Sequence, residues 1–85
     1  MKEVDTEDNL GWWVNKAKKG EKVMYFDGFL LYERQVLINN GVMRDQFPQR
    51  LKTAIMAWKL YLDGVLTLVQ RKRDHNQYEY IAIKR

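Results

Sequence analysis

Eighty-five residues, a net charge of +4, 46% hydrophobic side chains and no cysteine describe one small domain with no room for a second core. Disulfide scaffolds, thiolate zinc sites and cysteine nucleophiles are excluded, and a reducing cytoplasm is the expected compartment. No apolar run approaches the ~20 residues of a membrane span, and the acidic start does not match a secretory signal.

A chain this short needs large side chains to build a core. Three Trp, five Tyr and three Phe supply them, each able to bury about 150–250 Å². Charge is unevenly laid out. Residues 1–9 hold four acids and one Lys, and residues 10–85 hold 14 basic against 7 acidic side chains, a balance of +7. A basic body favours polyanionic partners on charge alone. Residues 1–5 are expected to be a flexible acidic leader.

The first helix is well punctuated. Asp5 or Thr6 can cap it, and Glu7 and Asp8 suit the positive end of its dipole. Leu10, Trp13, Val14 and Ala17 form one apolar stripe, and Gly20 offers a left-handed stop. Gly11 inside this helix costs about 1 kcal/mol against Ala, which points to close packing there. Lys22–Phe26 is a short strand that ends at Asp27-Gly28. Phe29 to about Ile38 reads as a short helix broken by Asn39-Asn40-Gly41, and residues 42–47 as a loop. Pro48 suits the start of the next helix, Arg50–Leu62. Its inward stripe is read as Leu51, Ala54, Ile55, Trp58 and Leu62, and Asp63-Gly64 stops it.

Two β-type runs close the chain, Val65–Gln70 and Tyr78–Ile83, joined by the mostly basic segment Arg71-Lys72-Arg73-Asp74-His75-Asn76. A helix feeding into a hairpin with a cationic tip is how a winged-helix domain ends. The lone first strand needs a distant partner, and the hairpin is the only candidate. The expected class is therefore α+β: a winged helix–turn–helix in the order helix, strand, helix, helix, strand, strand, with a small three-stranded antiparallel sheet.

Two segments carry a resemblance. Tyr25-Phe26-Asp27-Gly28-Phe29-Leu30-Leu31-Tyr32-Glu33-Arg34 is one. Ala57-Trp58-Lys59-Leu60-Tyr61, followed by Gly64 to Arg73 and Tyr78-Glu79-Tyr80-Ile81-Ala82, is the other. Over about residues 20–85 the chain resembles small winged-helix-like phage and prophage proteins. The resemblance implies that fold and setting. It implies no activity and no site residues.

Nothing in the sequence assembles an enzyme site or a small-molecule substrate site. There is one His and no Cys, and phosphate-loop and zinc-protease patterns are absent. No metal or cofactor is expected, and His75 reads as a residue of the hairpin tip. With the inward stripe assigned as above, Gln49, Arg50, Lys52, Thr53 and Met56 are placed in a DNA groove. Arg71, Lys72, Arg73, His75 and Asn76 are placed on the phosphates, with Lys84 and Arg85 as a possible extension. Trp12 and Tyr78 suit stacking on unpaired bases if exposed, or core packing.

The expected function is binding of double-stranded DNA, in the manner of a phage or prophage transcriptional regulator. The alternative is a protein–protein interaction module on the same fold, because Met56 and Leu60 suit a homodimer or partner contact, or packing against the chain's own hairpin, better than a groove. A structural part of a virion is a third reading.

Overall fold

In the computed structural model, which describes residues 1–75 and 77–85, the Thr6 hydroxyl accepts a hydrogen bond from the Asn9 amide at 3.1 Å and opens α1 (Glu7–Lys16). Glu7 and Asp8 fill its first turn, where the helix dipole favours acids. Leu10, Trp13 and Val14 are buried, and Ala17 packs just past the end. The helix stops at Ala17 in extended backbone and not at Gly20, whose φ of 90° instead serves the turn before the first strand.

β1 (Lys22–Gly28) runs two residues further than expected. Asp27 and Gly28 do not turn; they pair with Glu79 and Tyr78. A bulge between Met24 and Phe26 inserts Tyr25 as an extra residue. Two consecutive aromatics, Tyr25 and Phe26, are thereby both buried.

α2 (Leu30–Asn39) matches the expected short helix. It ends in a Schellman arrangement: Gly41 N–H donates to Ile38 and Val42 N–H to Leu37, both at 3.0 Å. The segment that follows, expected as loop, contains one 3₁₀ turn at Arg44–Gln46 and delivers Phe47 to the core. Pro48 then caps α3 (Gln49–Leu62). The same C-terminal device recurs, with Gly64 N–H on Tyr61 and Val65 N–H on Leu60. This is the stop read at Asp63-Gly64.

β2 (Leu66–Asp74) and β3 (Gln77–Lys84) are longer than expected. The six-residue connection is absent, because Arg71 finds Glu79 and Lys72 finds Tyr78 across the ladder. Such cross-strand pairs stabilise strand over loop. The sheet order is β1-β3-β2, antiparallel throughout. Residues 2–4 are not a loose leader. Val4 N–H donates to Met24 at 2.9 Å, Met24 N–H donates to Lys2 at 2.8 Å, and Val4 is buried. The leader thus extends the sheet beyond β1.

The described residues form an α+β fold, with three α-helices around one three-stranded antiparallel sheet in the order helix, strand, helix, helix, strand, strand. One core joins Leu10 and Trp13 of α1, Val23 and Phe26 of β1, Leu51, Ala54 and Ala57 of α3, Leu66 and Ala82. Leu10, Leu51 and Leu66 are fully buried, each contributing about 1.5–3 kcal/mol of apolar transfer. Among the described residues no helix is long and apolar enough to cross a membrane.

Candidate nucleic-acid interface

α3 is rotated from the expected orientation by about 100°, one residue of helix. Its buried positions are Leu51, Thr53, Ala54 and Ala57. Trp58 is 55% and Leu62 64% exposed, although both were expected inward. The small Ala54 and Ala57 let the helix backbone approach the sheet, so the bulky residues of the stripe fall to the flank.

This rotation removes most of the expected groove residues. Thr53 is 0% exposed, and its hydroxyl donates to the Gln49 carbonyl at 2.7 Å; it cannot reach a base. Gln49 Oε1 accepts from the Glu7 amide at 3.4 Å, tying α3 to the start of α1. Arg50 pairs with Glu33, donates to the Asp27 carbonyl and stacks 4.3 Å from the centre of the Phe26 ring. That guanidinium clamps α2, α3 and β1 together. Met56 is half-buried, its methyl 3.4 Å from where a Cβ on Gly11 of α1 would stand, an ordinary contact rather than the close packing expected there. Leu60 also packs on the core. Met56 and Leu60 are therefore internal contacts in the first instance, not a free partner surface.

Of the five groove candidates only Lys52 stays on the outward side. The free face of α3 is Lys52, Ile55 and Lys59, which line one shallow depression with Arg44. Glu7 and Asp45 line it too, so the local excess is one positive charge. None of Lys52, Lys59 and Arg44 forms an ion pair among the described residues. Neither Lys59 nor Arg44 is among the residues expected to touch DNA. For Lys59 the signal is the Ala54/Ala57 spacing, which marks the buried side of α3; Arg44 lies outside that helix, in the 3₁₀ turn, and no local pattern marks it.

On the hairpin, strand alternation separates the cations. Leu66, Leu68, Gln70 and Lys72 lie on the helix-side face of β2, and Thr67, Val69 and Arg71 on the other. Arg71 Nε donates to Glu79 at 2.8 Å, and Arg73 pairs with Asp27 at 2.6 Å. Both arginines were expected free on a loop, and both are engaged on strand. Lys72 is exposed and unpaired among the described residues. His75 is exposed at the turn, its amide donating to Asp74 at 2.7 Å. Asn76 lies outside the described residues. Lys84 donates to the Val14 carbonyl at 2.9 Å, and Arg85 to the Thr67 hydroxyl at 3.0 Å, so both fasten the sheet.

The aromatic candidates divide. Trp12 is exposed with Lys2 5.3 Å over its ring, whereas Tyr78 is half-buried against Phe29 and Tyr80. Trp58 stacks at 5.2 Å on Tyr61 and walls a cleft of 280 Å³ between α2, α3 and β2, lined also by Tyr25, Leu30, Arg34, Arg44, Ile55 and Leu68. Among the described residues no group of three His, Asp or Glu could hold a metal ion. Comparison with protein-family models, curated proteins and solved structures finds no match.

Proposed function

We propose that this is a winged-helix nucleic-acid-binding domain that lays the Lys52–Ile55–Lys59 face of α3 against a duplex and sets Lys72 on a phosphate. The element order and the β1-β3-β2 sheet support the winged-helix reading. One observation carries the contact: the outward face of α3 holds two lysines free of ion pairs among the described residues. Strand alternation puts Lys72, and not Arg71, on the same side of the sheet as that helix. In the phage or prophage setting that the sequence resemblance implies, such a domain acts as a transcriptional regulator.

Glu7 and Asp45 keep the site weakly positive, so binding is salt-labile and its register depends on few contacts. Three neutralised phosphates give a slope of log K against log salt of about −2.7. The test is a salt titration of a labelled random duplex. Lys52→Ala with Lys59→Ala is expected to flatten the slope by about 2 units, and Arg71→Ala with Arg73→Ala to leave it nearly unchanged. Absence of binding at low salt, or a slope indifferent to the two lysines, overturns the proposal.

A protein-interaction role is favoured by one specific observation. α2 has no fully buried residue, and Leu31 and Tyr32 are 70% and 63% exposed, with Val36 and Ile38 beside them on its outer side. Large apolar side chains exposed together on one helix mark contact surfaces.

A further inference from the structure

We infer that the cleft between α2, α3 and β2 is a docking site for a protein partner, which inserts one large apolar side chain flanked by carboxylates. The inference does not depend on nucleic-acid binding: the cleft shares Arg44 and Ile55 with the Lys52–Lys59 depression, but Leu30, Arg34, Trp58 and Leu68 lie outside it. Its floor and walls are apolar, formed by Leu30, Ile55, Trp58 and Leu68. Its polar lining includes Arg34 and Arg44, and neither makes an ion pair among the described residues. Arg50, Arg71 and Arg73 all do. Arg34 Nε is also buried with no hydrogen-bond acceptor. A buried donor left unsatisfied is costly, and a carboxylate in the cleft that draws the guanidinium outward removes that cost with a charge-assisted bond.

At 280 Å³ the cleft has room for one aromatic anchor, the kind of side chain that centres protein interfaces. The groove also continues along the strand: Leu30, Trp58 and Leu68 line a second depression that reaches Val69 and Gln70. A peptide chain can follow such a groove past its anchor. Two arginines beside an apolar slot then select acidic flanks and reject basic ones.

The experiment is an NMR titration of the intact chain at low salt. The probe is a blocked pentapeptide with phenylalanine between two aspartates. Controls replace the aspartates by lysines, or the phenylalanine by alanine, and a further arm uses an oligothymidylate. The acidic phenylalanine peptide is expected to shift the methyls of Leu30, Ile55 and Leu68, the Trp58 indole and the Arg34 Nε–H saturably. Arg34→Gln and, separately, the exposed Arg44→Ala are expected to weaken that binding about tenfold each, the value of one charge-assisted bond. Lys52→Ala with Lys59→Ala should leave it unchanged. Equal shifts from the lysine or alanine peptide, saturation of the Leu30 and Leu68 methyls and the Trp58 indole by the oligonucleotide itself, or no shift at millimolar peptide overturns the docking site. The nucleic-acid proposal fails separately, in the duplex salt titration.

Discussion

The Tyr80 hydroxyl accepts a hydrogen bond from the Leu30 amide at 3.2 Å, so a residue of the last strand caps a helix fifty positions earlier. Phe29, the residue before α2, has no side-chain oxygen with which to cap. α2 is otherwise lightly held, with no fully buried residue. Tyr80→Phe keeps the ring, which packs edge-on to Phe26 at 5.5 Å, and removes only the acceptor. The expected loss is about 0.5–1.5 kcal/mol. Amide exchange should accelerate in the first turn of α2 and remain unchanged in α1. Equal protection of Leu30 in both proteins contradicts the cap.

Two glycines should respond in opposite directions to alanine. Gly28 has φ of 139°, and a Cβ there would stand 2.6 Å from Glu33 Oε2, on a carboxylate already held by Arg50. Gly28→Ala is expected to cost about 1–3 kcal/mol. Gly11 is helical, and its added Cβ would meet only the mobile tip of Met56, at 3.4 Å. Gly11→Ala should be neutral or stabilising by up to about 1 kcal/mol. Urea midpoints of the two variants check both signs.

Tyr25 gives the fold a high-pH limit. Burial, reinforced by Tyr80 nearby, pushes its hydroxyl up from 10.0 to about 12. The folded state therefore favours the neutral phenol. That stability is fully present below pH 10 and is lost as pH rises from 10 towards 12, by about 2–3 kcal/mol. Tyr25→Phe should flatten thermal stability across this range. An unchanged slope in the variant assigns the alkaline loss to other groups.

The fold was legible wherever a single local device decides the outcome. Thr6, Pro48 and the glycines Gly41 and Gly64 set ends that their chemistry announces. The lone β1 could only be satisfied by the terminal hairpin, and it pairs with β3. What was hidden depends on partners distant in sequence. Asp27-Gly28 reads as a turn until Glu79 and Tyr78 lie opposite. Arg71 and Arg73 read as loop cations until Glu79 and Asp27 draw them onto strand. The leader reads as loose until Met24 offers an open edge. The candidate site inherited the largest miss: bulk was taken as the mark of the inward side of α3, and close helix–sheet contact prefers Ala54 and Ala57. Of the expected groove set Lys52 stays on the outward face of α3, and of the expected phosphate set Lys72 and His75 stay exposed without an ion pair among the described residues.

The rotation of α3 can be tested by stability alone. Leu51 is 2% exposed and packs in the core, whereas Trp58 lies at the cleft wall, more than half exposed. Leu51→Ala should cost about 2–5 kcal/mol, the range for a fully buried leucine. Trp58→Ala, in the orientation read from the sequence, would cost about 3–5 kcal/mol. With its ring stacked only on Tyr61 at the surface, the expected loss is nearer 1 kcal/mol. The ratio of the two denaturation midpoint shifts separates the orientations without reference to any ligand. If Trp58→Ala unfolds the chain as readily as Leu51→Ala, α3 faces the other way, and the Lys52–Lys59 face is lost as a binding surface.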